Sequence, residues 1–281
     1  MKKSKAPQKA FEIEMLPSSR KEQFFDLAKH RFFFFIGIGA LLFAFSLFIL
    51  GGAFFKDMSL INLNSSTASE EEQNTFSFTI KLFSYVIQGF GFPVLGFGLS
   101  GILIPLKNLA WNDPVFFKED FKIGLKENGK TFVGIGFLWG IVYFLEMLIG
   151  LLFSNLPWFE AVLFGINLAF IYPILITSLF LTLYYSNPFM ATIQKAAAIY
   201  FRHFPLLFLS SLCLLLPFFA LYIPIFLMKY GVLILWMVAV FPFGLLFSFE
   251  LHLHYFDEDV NSSQFPSYYQ KGLANYYRSD K

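Results

Sequence analysis

Six long apolar runs, separated by short polar segments, dominate the chain. An α-helix needs about 20 mostly apolar residues to cross the ~30 Å hydrocarbon layer of a bilayer. By this criterion the predicted transmembrane helices cover residues 32–55, 82–106, 132–153, 161–184, 204–226 and 232–249. The sequence therefore predicts an all-α, polytopic membrane protein with six transmembrane helices.

Polar segments at both ends set the predicted domain boundaries. We expect a basic N-terminal segment over residues 1–31, one six-span transmembrane domain over 32–249 and a tail over 250–281. The first apolar run begins about thirty residues in and is too long for a signal-peptide core, so it is expected to stay in the mature protein. Pro173 and Pro217 fall inside predicted spans, where neighbouring helices can satisfy the carbonyl groups that a proline leaves unbonded.

Lysine and arginine are distributed unevenly about these spans. The two ends and alternate connections hold 18 of the 21 basic residues, and the remaining connections hold three. Because cytoplasmic loops carry the excess of Lys and Arg, we expect both termini to be cytoplasmic. The first external connection, at 64–75, is polar and acidic and is predicted to be a flexible loop.

Composition agrees with a chain whose solvent is the bilayer. Hydrophobic residues make up 57% of the sequence and charged residues only 14%, against about 25% charged in a soluble domain. The single cysteine, Cys213, excludes an intrachain disulfide or a zinc–cysteine cluster. No nucleophile elbow, zinc-protease motif or phosphate loop occurs, so we expect neither an enzyme nor a bound cofactor.

A basic, amphipathic segment, residues 112–130, lies in the middle of the chain. Asp113 and Pro114 favour a helix start there, and Asn128-Gly129 favours its end. Four lysines recur at every fourth position, beside apolar side chains that share one helix face. The residues predicted to form this interfacial helix are Asp113, Phe117, Lys118, Phe121, Lys122, Lys126 and Lys130, with Leu125 completing the apolar row.

We expect this helix to lie on the cytoplasmic surface with its phenylalanines among the lipid headgroups. Two interpretations stay open: a topology anchor, to which each lysine near anionic lipid contributes ~1 kcal/mol, and a docking surface for a protein partner. Nucleic-acid binding is disfavoured, because acidic residues interrupt the lysine row. A weaker copy, Asn187-Pro188 followed by Lys195 and Arg202, predicts a second surface helix and leaves an internal repeat open.

Three polar residues interrupt the predicted spans at a similar depth: Gln88 in the second span, Glu146 in the third and Asn167 in the fourth. A carboxyl group inside a membrane is costly and therefore indicates a functional site by default. These residues are predicted to form an intramembrane polar layer. The layer serves either as hydrogen-bonding glue between helices or as a binding or translocation site, unless Glu146 faces lipid.

Segment 96–101 matches a G-x-G-x-x-G dinucleotide fingerprint, which requires a strand before it and a soluble helix after it. The segment lies inside an apolar run instead. Gly96 and Ser100 are small residues one helical turn apart, a spacing that favours close helix packing. Helix packing is therefore the expected role.

The end of the sixth run carries several potential metal ligands. On a helix, Glu250, His254 and either Asp257 or Glu258 share a face, whereas His252 points away. Zinc sites have a firmer spacing pattern, so no metal site is predicted. The histidines expected to contact lipid headgroups are His30 and His203.

Three short stretches carry a family resemblance: Phe92-Pro93-Val94-Leu95; Trp111-Asn112-Asp113 with Asp120-Phe121-Lys122, Leu125-Lys126 and Asn128; and Asn187-Pro188 with Phe204-Pro205. In them the chain resembles the YesL-type family of bacterial integral membrane proteins, a family of unknown function. The resemblance covers residues 32–273, and it departs from the family at the long N-terminus, the wide first loop and Phe92. It implies a multi-pass protein of the bacterial cell membrane, accessory to carbohydrate uptake or its sensing, with no catalytic residues.

Two functions stand as hypotheses. The first is a non-enzymatic accessory or scaffold protein of a carbohydrate-uptake or sensing system, whose partners would be the lipid bilayer and a transporter permease or membrane sensor. The alternative is a small-solute transporter or channel that uses the layer of Gln88, Glu146 and Asn167. Neither involves a nucleic acid, a metal or a cofactor, and the sequence predicts no oligomeric state.

Overall fold

A computed structural model describes residues 16–279, and within them the secondary structure is helical, without strands. The helices are α1 (Arg20–His30), α2 (Phe32–Phe45), α3 (Leu47–Asn64), α4 (Glu70–Ala110), α5 (Phe117–Glu127), α6 (Gly129–Leu152), α7 (Pro157–Ile166), α8 (Tyr172–Tyr184), α9 (Phe189–Arg202), α10 (Phe204–Phe219), α11 (Phe226–Ala239), α12 (Phe241–Phe256), α13 (Ser262–Gln264) and α14 (Ala274–Ser279). The π-helical segments Asn167–Ile171 and Asp257–Asn261 follow α7 and α12. The all-α prediction is confirmed for this part of the chain.

Three helical stretches are long and apolar enough to cross a membrane: α4, α6 and the stretch Pro157–Tyr184 that α7, its π segment and α8 form together. Three bent pairs raise this number to six if each pair is one span. They are α1 with α2, bent by 87°, α9 with α10, bent by 112°, and α11 with α12, bent by 46°. The fold thus has three to six candidate spans, and the predicted six is its upper limit.

The connection between α3 and α4 is much shorter than predicted. Only residues 65–69 separate the two helices, so the expected flexible loop at 64–75 is wrong. A capping box explains the early start of α4: Ser69 Oγ accepts the N–H of Glu72, whose carboxylate accepts the N–H of Ser69 at 2.9 Å. As a result α4 reaches roughly 60 Å at 1.5 Å per residue.

Helices α4 and α6 form the most extensive helix–helix interface of the described residues. Glycines face backbone across it: a Cβ built at Gly96 would lie 2.6 Å from the carbonyl oxygen of Phe132, and one at Gly140 would clash with the carbonyl of Gly89. Backbones approach this closely only where side chains are absent. The packing role expected for segment 96–101 is confirmed at Gly96.

Helix α5 begins later than predicted, because the chain turns sharply before it. Asn112 has a left-handed φ of 56°, and the carboxylate of Asp120 accepts the backbone N–H of the residue that precedes the helix, at 2.9 Å. Asp113, expected to cap the helix, instead forms an ion pair with Lys271 at 2.8 Å. The predicted cap is therefore wrong.

The two faces of α5 have different surroundings. Phe117 packs against Phe34 of α2 and Phe121 against Phe45, with ring centroids 5.8 and 6.3 Å apart. The expected position of these rings among headgroups is wrong: they pack on the protein, because glycines such as Gly101 open a groove for them on α4. Lys118, Lys122 and Lys126 are exposed on α5 as predicted, whereas Lys130, also exposed, belongs to α6 and not to the predicted helix.

The second predicted surface helix is α9, which packs along α8. At its C-terminal end, Arg202 and the following His203 both contact the carboxylate of Asp259, at 2.8 and 3.0 Å. The ring of His203 also stacks on Tyr255, with 3.9 Å between centroids. The expected headgroup contact of His203 is therefore wrong, since protein groups occupy this histidine.

A cluster that we name the terminal clasp ties both ends of the described chain to α4. The Arg20 guanidinium donates to the Asp257 carboxylate at 2.9 Å, to the Lys271 carbonyl at 3.1 Å and to Gln23 at 2.8 Å. Gln23 in turn donates to the carbonyl of Ala110, the last residue of α4, at 2.6 Å. Because α12 runs on to Phe256, the predicted tail boundary at residue 250 falls inside a helix.

Candidate functional site

A cavity of about 250 Å³ lies between α3, α4, α6, α7, α8 and α10. Its α4 lining residue nearest to Ala110 is Phe92, about 27 Å away along the helix at 1.5 Å per residue, so the chamber lies far from the terminal clasp. We call this cavity the chamber. Its polar lining comprises Lys56, Asp57, Tyr85, Gln88, Tyr143, Glu146, Glu160 and Tyr172.

Glu146 is the buried carboxylate of the chamber, with 3% of its surface exposed. Its Oε2 accepts hydrogen bonds from Asn167 Nδ2 at 2.5 Å and from the Tyr172 hydroxyl at 2.7 Å. Both donors are neutral, and Oε1 receives no hydrogen bond from the described residues. A lipid-facing Glu146 is thereby excluded, and one oxygen of the carboxylate stays available to a ligand.

Asn167 reaches Glu146 from an irregular part of its helix. It opens the π-helical segment Asn167–Ile171, and π-bulges occur frequently at functional sites. Pro173, just beyond, has no N–H to donate to the carbonyl of Ala169, four residues earlier. The hydroxyl of Tyr200, from α9, donates to that carbonyl instead. The expectation that a neighbouring helix satisfies this proline is confirmed.

Gln88 lies in the same chamber, but its polar atoms are occupied. Its Oε1 accepts from the Tyr143 hydroxyl at 2.7 Å, and its Nε2 donates to Ser84 Oγ at 2.8 Å. Ser84 Oγ donates in turn to the carbonyl of Gly52 at 2.7 Å, so this chain of bonds links α3, α4 and α6. Of the two roles predicted for the layer, Gln88 matches the structural one, since its hydrogen bonds join helices. Glu146 matches the binding role better, since its Oε1 receives no hydrogen bond from the described residues.

The structure thus brings Gln88, Glu146 and Asn167 together around one cavity, as predicted. Aromatic rings surround them. The Trp139 ring lies nearly parallel to Phe92 and to Tyr172, at 13° and 18°, with centroids 5.7 and 5.5 Å apart. The chamber therefore combines carboxyl and amide groups with rigid aromatic walls.

Charged side chains at the chamber were missed by sequence reasoning, because they were assigned to connections between spans. Asp57 accepts from Lys229 at 2.7 Å and from the Tyr230 hydroxyl at 3.1 Å. The Lys56 ammonium lies 5.5 Å from the centre of the Tyr85 ring. The sequence signal that could have placed Lys56 and Asp57 is the lack of any helix breaker between the first apolar run and Asn64.

Glu160, also missed, lies in the first turn of α7, where the helix dipole favours an acidic side chain. Its carboxylate rests on α6: a Cβ built at Gly150 would lie 2.6 Å from the carboxyl carbon of Glu160. Gly150 follows Glu146 by one helical turn, so the two carboxylates are neighbours. Within residues 16–279, no ion pair or hydrogen bond reaches the Glu160 carboxylate.

The potential metal ligands near the end of α12 do not converge. Glu250 is buried, Asp257 is held by Arg20, and the exposed His254 contacts Glu258 at 3.3 Å. No group of three His, Cys, Asp or Glu side chains suited to a metal occurs in residues 16–279. The histidine predicted to point away, His252, is buried and contacts Thr177 at 3.0 Å.

Comparisons of the chain with protein-family models, with curated proteins and with solved structures give no match. The resemblance to the YesL-type family gains no support from them and stays a prediction.

Proposed function

We propose that this protein is a membrane transporter or channel that holds a small polar solute in the chamber. The observation that carries the proposal is the Glu146 carboxylate, which is buried in an apolar bundle and lines a cavity of about 250 Å³. Ionisable groups inside membrane proteins commonly mark the path of a substrate or ion. In the predicted orientation the chamber lies towards the external side.

Irregular helices around the chamber support this function. The π segment Asn167–Ile171 contributes Leu168 to the lining, and the 3-10 segment Ala220–Tyr222, which follows α10, contributes Leu221. Transporters commonly bind their substrates where helices are interrupted, because backbone groups and helix ends freed there can face the ligand. The chamber is therefore bordered by elements suited to alternating access.

Chemical accessibility tests the proposal before the solute is identified. In a Cys213→Ser background, Ala53→Cys places a thiol in the chamber, and Leu99→Cys places one in a neighbouring apolar cavity. We expect a charged, membrane-impermeant thiol reagent to modify Ala53→Cys and to leave Leu99→Cys unreacted, because only the chamber admits water. Solutes that slow the modification are then assayed for uptake into proteoliposomes.

Two results would contradict this function. An unreactive thiol in the Ala53→Cys variant would show a closed, dry chamber. The second is equal uptake, by wild type and by Glu146→Gln, of the solutes that slow the thiol modification. It would show that Glu146 takes no part in transport. The thermal midpoint of each variant in detergent serves as the control for folding.

The accessory role in carbohydrate uptake is a second proposal, favoured by the exposed lysine row of α5. Lys118, Lys122 and Lys126 face away from the bundle, and none of them forms an ion pair within residues 16–279. A basic helix face of this kind suits an acidic partner surface. Co-purification of a transporter subunit or sensor in mild detergent tests this role, and consistent absence of both would contradict it.

A further inference from the structure

The balance of charge in the chamber indicates what it binds, if the proposed function holds. Three carboxylates line the cavity, and Lys56 is the one basic side chain among the lining residues. Asp57 is already paired with Lys229 at 2.7 Å. Glu146 and Glu160 remain: both line the cavity, and the Glu160 carboxyl group lies against Gly150, one helical turn after Glu146 on α6.

Lys56 does not neutralise these two carboxylates. No ion pair within 4.0 Å joins it to Glu146 or Glu160, and its ammonium lies over the Tyr85 ring. Two neighbouring carboxylates thus face the chamber without a described cation beside them.

Glu146 is buried, with 3% of its surface exposed, whereas Glu160 is only partly buried. Two neighbouring carboxylates repel each other, and a bound cation between them removes the repulsion. The donors that Glu146 does have, Asn167 and Tyr172, are neutral and both occupy Oε2. Oε1 of Glu146 and the carboxylate of Glu160, which has no hydrogen bond or ion pair within residues 16–279, are therefore available to bind a positive charge.

The walls decide which kind of cation fits. Rings of Phe92, Trp139, Tyr143 and Tyr172 line the chamber, and aromatic rings attract organic ammonium groups through their π faces. A hard metal ion needs six or more oxygen ligands at close range, and no group of three His, Cys, Asp or Glu side chains suited to a metal converges in residues 16–279. At ~30 Å³ per water molecule, the cavity has room for roughly eight waters, or for an organic molecule with a similar number of heavy atoms.

We propose that the chamber binds a small organic cation whose ammonium group lies between Glu146 and Glu160 and whose carbon atoms pack against Trp139 and Tyr143. The proposal rests on the transporter function and names its substrate class. Selectivity comes from charge, because a neutral molecule of the same shape would leave the two carboxylates facing each other.

Calorimetric titration of the full-length protein in detergent tests the class directly. The probes are methylammonium, choline and tetraethylammonium, together with the neutral isostere of choline in which carbon replaces nitrogen. We expect at least one of the three cations to bind, and choline to bind at least tenfold more tightly than its isostere. Glu146→Gln and Glu160→Gln should each weaken binding at least tenfold, whereas Glu71→Gln, an exposed acid at the start of α4, should not.

A pair of glycine variants tests the same site without changing Glu146, so the test still works if the Glu146 variant misfolds. Gly150→Ala displaces the Glu160 carboxylate, so it should weaken binding. Gly165→Ala adds the same methyl group to α7 where nothing lies within 4 Å, so it should not.

The outcomes separate this inference from the transporter function. Equal affinity for choline and its isostere would overturn the cationic class and leave the transporter function standing. If none of the three cations binds, the cationic class is also overturned. The thiol reactivity of the Ala53→Cys variant then remains as a separate test of the transporter function. Cation binding that survives both Glu160→Gln and Gly150→Ala would overturn the site.

Discussion

The hydroxyl of Tyr200 offsets a backbone hydrogen bond that Pro173 cannot form. Tyr200 is fully buried, and its hydroxyl reaches the carbonyl of Ala169 from α9. A buried carbonyl without a partner costs roughly 1–3 kcal/mol, so this hydroxyl stabilises the segment that presents Asn167 to Glu146. One side chain thereby connects a helix outside the chamber to the geometry inside it.

We expect Tyr200→Phe to lower the free energy of unfolding by about 1–3 kcal/mol, because the carbonyl of Ala169 loses its donor while the ring packing is kept. The measurement is the thermal midpoint of the purified protein in detergent. Tyr269→Phe removes the hydroxyl of an exposed tyrosine and serves as the control. Equal midpoints for the two variants would show that the bond to Ala169 contributes nothing.

The sequence made the buried half of the site predictable but not its rim. Gln88, Glu146 and Asn167 are conspicuous, since polar groups are costly within apolar runs. Glu160 and Asp57 lie at the ends of such runs, where charges are ordinary and indicate no site. Only the fold shows that α3 extends and that Gly150 lets Glu160 rest on α6.

Among the helices, α4 and α6 are both long and apolar enough to cross a membrane, and they pack closely against each other. Inside a bilayer, lipid tails are as apolar as leucine, so association depends on close contact and on hydrogen bonds. Gly89 and Gly140 provide the close backbone contact. The Tyr143 hydroxyl provides the hydrogen bond, which it donates to Gln88. The shape of the chamber therefore depends on this interface.

Gly140→Ala should destabilise the protein by about 1–3 kcal/mol, because its methyl group meets the carbonyl of Gly89 and overpacks the interface. At Gly51, in contrast, nothing lies within 4 Å. There the same substitution should be neutral or stabilise by up to about 1 kcal/mol, through the higher helix propensity of alanine. Thermal midpoints of the two variants check this, and an equal response would contradict a close α4–α6 contact.

Helix identities were more predictable than helix ends and breaks. Apolar runs mark α4, α6 and α8, because length and hydropathy are local properties. The run at 232–249 predicts one helix, yet the chain breaks at Val240, just before Pro242. Such breaks depend on neighbouring helices: Gly39 of α2 packs against the carbonyl of Val238, a contact with no local signature.

For the molecule as a whole, the terminal clasp joins parts of the chain that are far apart in sequence. The side chains of Arg20 and Asp257 are both 5% exposed, and they lie 237 positions apart. Asn261 bridges Asp257 to the hydroxyl of Tyr185, at the end of α8. Burial raises the pKa of this hydroxyl, so it stays protonated and keeps donating at physiological pH.

Removal of Arg20 should cost far more than removal of a surface arginine. Arg20→Ala leaves the carboxylate of Asp257 buried and unpaired, a loss of about 3–5 kcal/mol. Arg202 also pairs with an aspartate, but its side chain is 66% exposed, so Arg202→Ala should cost at most about 1 kcal/mol. Thermal midpoints distinguish the two, and the double variant Arg20→Met, Asp257→Leu should recover most of the stability. A small effect of Arg20→Ala would show that the clasp is not needed for folding.

The clasp also imposes an order of events on synthesis. A ribosome adds about 5–20 residues per second, so the 237 positions between Arg20 and Asp257 correspond to tens of seconds of translation. During that time α1 has been made, but its carboxylate partner does not yet exist. Of the described helices, α1 is thus made long before its contacts are complete, and the clasp closes only after α12 has been synthesised.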